Sequence, residues 1–423
     1  MGKQRVPSEL RRGNRSEVLR ELLRRGGLSR AELAAHTGLT GAAITRITRE
    51  LIEVGLLREG AKQARSGQPG RRGTLLDFAD DGAWVIGLGI HASDHSVVLA
   101  NLRGQVARRI VIPSSILSDP GATLAHAREA IRSLVGEARE RGDAVLGMGV
   151  ATAGSVDSEA RAVRSIPQFG WQDVALDTWL AELGVPYFVE NVNDTLNLAE
   201  WRFGVCAGAN DVVMLRISTF AGGSAISGGR LLRGANARAM QIGHLADPKG
   251  TLRCICGRVG CLNTTASGAA IVHAAEQGDW DAVLGGDFDP VNDALDRVID
   301  RAERGDNRAS AVLAHAGSML GRGVAQIVRI LDPEVLVLGG LVSRSRAFRV
   351  AAVEALRNAS GNDETGLPRF AISEMLVSQA TVFTALERYA FSPELDIGVL
   401  RSRTDGRRRR SAATSLVPTE RHA

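Results

Sequence analysis

The feature that most restricts how this chain can fold is a tight cysteine cluster in its second half. Of four cysteines among 423 residues, Cys254, Cys256 and Cys261 fall within eight positions, and Cys206 stands apart. Cys254 and Cys256 are too close for a relaxed mutual disulfide. The N-terminal run MGKQRVPSELRRGNRSEVLRE is polar and basic, without an apolar signal region, so a cytoplasmic address is expected. In a reducing compartment, clustered thiols point to metal before redox chemistry. His244 lies ten residues before Cys254, and one imidazole with three thiolates satisfies tetrahedral zinc. With no open position, that ion has a structural role; the alternative is a set of free buried thiols. Cys206 reads as a core residue.

Charge divides the chain as sharply. Residues 1–76 carry a net +9, residues 77–400 a net −9 and residues 401–423 a net +5. A basic N-terminal unit on an acidic body fits a nucleic-acid contact confined to one end, the alternative being a solvated basic face. No apolar run approaches the roughly 18 residues of a spanning helix, so a membrane partner is not expected.

The basic end has helical punctuation. NRSEVLRELLR (14–24) predicts an amphipathic helix closed by Gly26-Gly27. Ser29 caps a second helix, with Glu32 completing a capping box, and Gly38 ends it. Thr40 caps a third, whose Ile44, Ile47, Leu51 and Ile52 recur at helical spacing. Two short strands, at Leu56-Leu57 and Thr74–Leu76, then flank the Gly-rich tip AKQARSGQPGRRG. This pattern predicts a winged helix-turn-helix over residues 1–78 that binds double-stranded DNA. Thr40, Gly41, Ala42, Thr45, Arg46 and Arg49 form the expected groove-facing side of the third helix. Thr45 and Arg46 can reach base edges and Arg49 a phosphate. Arg65, Arg71 and Arg72 on the wing suit a narrow minor groove.

The remainder alternates strands with helices, an α/β signature. Strands are expected at Trp84–Ile90, Ser96–Asn101, Val145–Val150, Tyr187–Glu190, Val212–Ile217 and Val335–Leu338. Helices are expected at 122–141, 176–183, 194–201, 266–277, 293–303, 308–331 and 346–358. Residues 396–423, with the run RTDGRRRR, form an expected disordered basic tail.

The segments VPYFVENVNDTLNLAEWRFG (185–204) and GGRLLRGANARAMQIGHLADPKGTLRCICGRVGCLN (228–263) resemble the ROK family (repressors, open reading frames and sugar kinases). The likeness is greatest to its xylose-repressor-like and N-acetylglucosamine-repressor-like members, over residues 14–390. It implies two actin-like (ribonuclease H-like) lobes around a sugar cleft over 79–395, following the winged helix, and self-association as a homodimer or higher homo-oligomer. It also identifies His244, Cys254, Cys256 and Cys261 with the family's structural zinc loop.

The kinase residues are another matter. The family's Asp-Gly-Gly-Thr phosphate loop is replaced by Gly89-Ile90-His91-Ala92-Ser93, with Gly89 in the aspartate position. The second phosphate loop reads Ser218-Thr219-Phe220-Ala221-Gly222-Gly223, with Phe220 where backbone must approach phosphate. The family's Glu-Asn-Asp becomes Glu190-Asn191-Val192, and valine cannot accept the sugar proton. Asp194 is expected to face away from the cleft. In the sugar site the family's Glu-x-Gly-His becomes Gln241-Ile242-Gly243-His244, while Ala237 and Met240 replace glycines. Asn191, Gln241 and His244 remain as expected contacts to a sugar or sugar-phosphate effector. Altered ligand choice and loss of sugar binding both stay open, as do three functions: a regulator with a non-catalytic sensor, a sugar kinase with an appended helix-turn-helix, and a ligand-blind scaffold answering to a protein partner.

Overall fold

A computed structural model describes residues 7–63, 73–248, 250–284, 288–360, 367–398 and 400–401. Helices Pro7–Arg25, Arg30–Thr37 and Gly41–Glu53 precede strands Leu57–Gln63 and Gly73–Phe78. The two-residue strand Leu28–Ser29 joins the second of these to make a three-stranded sheet. The caps lie where the sequence placed them. Ser29 Oγ accepts from Glu32 N while Ser29 N donates to Glu32 Oε2 (2.8 Å), and Thr40 Oγ1 accepts from Ala43 N (3.3 Å). Leu19, Leu22, Leu33, Ile44, Ile47, Leu51 and Leu76 are buried between these elements. Arg65, Arg71, Arg72 and everything beyond residue 401 lie outside the described residues.

The body contains one plan used twice. In the first lobe, strand Ala83–His91 pairs antiparallel with Asp94–Asn101, which pairs with Val106–Val111. On its other side it runs parallel to Ala144–Thr152, which in turn pairs with Tyr187–Asn191. In the second lobe, Val212–Ile217 leads antiparallel to Ala221–Ser227 and Arg230–Leu231, and parallel to Val335–Gly339 and Arg369–Ile372. This duplicated five-stranded order is the actin-like arrangement expected. Each sheet buries one face under helices. Ile86, Leu88 and Ile90 pack on Leu124, Ile131 and Leu134 of helix Pro120–Glu140. Val213, Leu215 and Ile217 pack on Leu295, Val298, Leu313 and Leu320 of helices Asp289–Glu303 and Asn307–Leu331. A small sheet of Ser155–Asp157, Ala162–Ile166 and Trp171–Ala175, unforeseen in the sequence, caps the first lobe.

Two elements depart from expectation, and they meet. Helix Val377–Ala385, continued by a π turn to Ala390, had no sequence signal: VSQATVFTA is rich in β-branched residues and lacks a polar face. It lies on a floor of glycines, where a Cβ at Gly87 would sit 2.2 Å from Thr381 Oγ1 and one at Gly149 2.5 Å from Thr381 O. The first helix begins at Pro7, well before residue 14, and is not simply amphipathic, because Arg15 and Glu21 are buried with its apolar residues. Its second face docks on the C-terminal segment. Arg20 Nε and Nη2 donate to Glu387 at 2.8–3.2 Å, Arg15 Nη2 donates to Leu395 O (2.8 Å), and Phe78 stacks on Phe391 at 5.9 Å between ring centres. Ile397 and Leu400, in the stretch expected as tail, are buried in the same core.

Candidate functional site

A cavity of about 450 Å³ opens between the lobes, lined by Asn191, Val192, Asn193 and Asp194 from one side and by Arg216, Phe220, Gly222 and Gly223 from the other. Gln241 and His244 close its rim, so all three residues expected at the sugar site line one space. Asn191 caps helix Val192–Phe203. Its Oδ1 accepts from Asn193 N (2.8 Å) and its Nδ2 donates to Gly154 O (2.6 Å), so much of its amide is committed to holding the Gly154 loop. That loop needs glycine, since φ is +78° and a Cβ would sit 1.9 Å from Ser165 O.

Asp194 corrects one expectation. Three positions after Asn191, it shares that residue's side of the helix and lines the cavity instead of facing away. Burial first, then the Glu190 carboxylate, pushes its carboxyl up to about 7, against a hydrogen bond from Ser224. Ala237 and Met240, in the positions of family glycines, hold φ at +50° and +58°, the left-handed region that disfavours side chains.

At the phosphate-loop end, protein groups occupy the loops. Asn292 joins them, its Oδ1 accepting from Thr219 Oγ1 (2.6 Å) and its Nδ2 donating to Ala92 O (2.8 Å). Phe220 meets Phe288 edge-on at 5.4 Å, and Phe288 continues to Phe169 in the first-lobe core at 6.1 Å. Arg216 crosses from the second lobe, its Nη1 3.1 Å from His91 Nε2 and its Nη2 donating to Ser93 Oγ (2.7 Å). A side chain at Gly89 would come within 3.1 Å of Asp94 O and 3.5 Å of Val377. Sequence reading passed over Arg216, Phe288 and Asn292. The one available signal was a charged residue inside the apolar strand VVMLRI.

Beside the rim, the potential ligand atoms of His244, Cys254, Cys256 and Cys261 all lie within 4.8 Å of one another. His244 Nδ1 is 3.6 Å from Cys254 Sγ, and Cys256 Sγ is 3.6 Å from Cys261 Sγ. Tetrahedral bonds of about 2.3 Å to sulfur require edges of about 3.7 Å, so the donor set and its spacing fit zinc. The loop closes through Gly260, at φ +72°, where a Cβ would lie 2.8 Å from Asp247 O. His244 both faces the thiols and lines the cleft, so the cluster sets the position of one cleft wall.

On the winged helix, Thr40, Gly41, Ala42, Thr45, Arg46 and Arg49 are exposed along one side of Gly41–Glu53, opposite buried Ile44, Ile47, Thr48 and Leu51. Thr45 Oγ1 donates to Gly41 O (2.8 Å) and keeps its acceptor lone pairs outward. Arg46 and Arg49 form no ion pair among the described residues.

These parts define a class of protein, a winged helix docked on a two-lobed, cleft-bearing α/β body with a Cys3His loop at the cleft rim. The chain belongs to the ROK family, whose model matches residues 85–380, and residues 11–58 match a winged helix-turn-helix DNA-binding model. It is 29% identical over 353 residues to the DNA-binding transcriptional dual regulator NagC of Escherichia coli (strain K12), spanning 82% of this chain and 84% of that protein. Its fold matches the crystal structure of a ROK family transcriptional regulator, a homologue of the E. coli MLC protein, with a TM-score of 0.66 and 24% identity over 94% of this chain and 99% of that one. A ROK family glucokinase from Streptomyces griseus, in complex with glucose and AMPPNP, matches at TM-score 0.59 and 26% identity, covering 71% of this chain and 98% of its own.

Proposed function

We propose that this protein is a sequence-specific transcription regulator, a repressor, whose cleft senses a sugar or sugar derivative without catalysing its phosphorylation. The observation that carries the reading is the joining of two features in one chain: a recognition helix with unpaired Arg46 and Arg49 outward, and phosphate loops bridged by Asn292 and Arg216. Residues 1–78 bind DNA, residues 79–395 form the sensor, and residues 396–423 form a basic tail. Thr40, Gly41, Ala42, Thr45, Arg46 and Arg49 face the major groove, with Arg65, Arg71 and Arg72 at the minor groove. Asn191, Gln241 and His244 contact the effector.

The reading as a regulator and not an enzyme rests on chemistry. Phosphoryl transfer needs a seated nucleotide and a base, and Val192 supplies no base. Asp194 is a carboxylate in the cleft, but its phosphate-loop neighbours leave the nucleotide no seat. His244, Cys254, Cys256 and Cys261 hold one structural zinc per chain, fixing the rim on which Gln241 and His244 sit. The protein works in the cytoplasm as a homo-oligomer that reads two half-sites; among the described residues no helix is long and apolar enough to cross a membrane. The family relatives named repressors and regulators support this reading. The test is selection of a duplex from random or genomic DNA by the full chain, followed by release with a sugar panel. Selection of a two-half-site duplex is expected. Phosphorylated sugar formed with ATP would refute the non-catalytic cleft.

A further inference from the structure

The cavity wall carries a mark of the effector's chemical class, a step that rests on the reading of the cleft as a sensor. Arg216 is 5% exposed and lines the cavity. A guanidinium so placed is costly unless its charge is met by a carboxylate or an anion. Among the described residues no carboxylate forms an ion pair with it. Asp94 acts on it only at a distance, because its own oxygens are taken by Arg109 Nη2 (2.9 Å), Ser96 Oγ (2.9 Å) and Ser378 N (2.7 Å).

The neighbours of Arg216 deepen the mismatch. Ser93 N points at His91 Nδ1 (3.1 Å), and Arg216 Nη1 points at His91 Nε2 (3.1 Å). A neutral imidazole has one acceptor nitrogen, not two. His91 is held neutral, well below its usual range, by burial and by the Arg216 charge. Two donors therefore converge on a ring that can satisfy only one, 5% exposed and beside an unmatched positive charge. Arg216 itself, lowered to about 10 by burial, stays charged at neutral pH. What this corner lacks is an acceptor with negative charge.

The rest of the cavity agrees. Its lining includes four arginines, at positions 216, 233, 238 and 258, against the single carboxylate of Asp194. Arg233 is spent on Glu190 (Nε to Oε2, 3.1 Å), but Arg238 makes no ion pair among the described residues. The first turn of helix Val192–Phe203 opens on the same space with its positive end. A neutral hexose would leave the buried guanidinium as it is, whereas an oxyanion would give Arg216 and the His91–Ser93 pair their missing acceptor.

We infer that the Arg216–His91–Ser93 corner is an oxyanion site, and that the cleft takes an acidic sugar derivative, a phosphomonoester or a carboxylate. The bridge through Asn292 and the Phe220–Phe288 contact closes the side on which a nucleotide would have to lie, so the anion belongs to the sugar and not to ATP.

Inorganic phosphate probes the corner whichever sugar the cleft takes. The full chain is melted in phosphate and in chloride at equal ionic strength, then with glucose, glucose 6-phosphate, glucuronate and ADP. Phosphate at ten times its Kd should raise Tm by about 2–4 °C. Arg216→Met should abolish that rise without a lower Tm in chloride, and Arg216→Lys should retain part of it. If Arg216→Met does not fold, His91→Gln, which keeps an acceptor and a donor, should still weaken the phosphate response. A wild-type chain indifferent to phosphate overturns the site, as does a response unchanged in Arg216→Met. Stabilisation by glucose and not by its acidic forms overturns the ligand class while leaving the sensor reading intact. ADP-specific stabilisation also overturns it. Arg216-dependent phosphate binding, with operator affinity deaf to every sugar, would uphold the site and refute the sensor reading.

Discussion

The two ends of the cleft have fared differently. At the rim, His244, Cys254, Cys256 and Cys261 stand complete, in a loop whose Gly260 permits the backbone approach the cluster needs. At the phosphate end every kinase element is replaced: Gly89 for the aspartate, Phe220 in the second loop and Val192 for the base. The rim cluster organises a wall of the second lobe whatever the cleft does. The phosphate loops matter only to a reaction, and here they have become a clamp between lobes, with Asn292 and Arg216 as its pins. A cleft can therefore lose its chemistry while keeping the geometry of a ligand site.

The sharpest break in that comparison would come from the metal. The purified chain should carry about one zinc, and Cys256→Ser or chelation should remove it. The expected loss of stability is at least ~4 kcal/mol, that of a ligand held about a thousandfold above its Kd. Elemental analysis and thermal melts check this, and fully reduced protein without zinc would erase the contrast.

The other end is tested by turnover. With ATP and magnesium, mass spectrometry should detect no phosphorylated glucose, N-acetylglucosamine, mannose or xylose, since losing a general base alone costs about 10²–10⁴ in rate. Val192→Asp should not restore activity, because Phe220, Arg216 and Asn292 still occupy the loops.

A smaller effect separates Asp194 from a catalytic relic. Its carboxyl is raised to about 7 by burial and by Glu190, so the protonated form is the one the fold favours. That stabilisation is complete below the unfolded value near 4 and is lost as pH rises through about 7. Asp194→Asn should accordingly raise stability at pH 8 by about 1–2 kcal/mol and change little at pH 5, read as Tm against pH with Arg233 and Glu190 unaltered. An equal change at both pH values would contradict the cause assigned. Least of all, Ala237→Gly and Met240→Gly should each relieve about 1 kcal/mol of left-handed strain, measured by denaturant unfolding.

Local signals were legible in the sequence wherever the chain solves a problem within a few residues. The Ser29–Glu32 box, the Thr40 cap and the Cys254–Cys261 loop all belong to that kind. So do the apolar central strands, whose residues alternate between two buried faces. What stayed hidden depends on distant partners. Helix Val377–Ala385 owes its conformation to a glycine floor contributed by two strands, not to its own β-branched residues. Arg15 and Glu21 looked like a solvated face because the segment that covers them comes more than 360 residues later. Asp194 was misjudged by treating helix periodicity as if positions three apart diverged.

The central claim is that the exposed side of helix Gly41–Glu53 reads DNA. Fluorescence anisotropy of the full chain on its selected duplex, beside Arg46→Ala, tests it most directly. Binding should weaken by about 1–3 kcal/mol with relaxed base preference, and wild-type affinity should fall steeply with salt. Selected-duplex binding that survives deletion of residues 1–76, or that ignores Arg46→Ala and salt alike, would contradict the account.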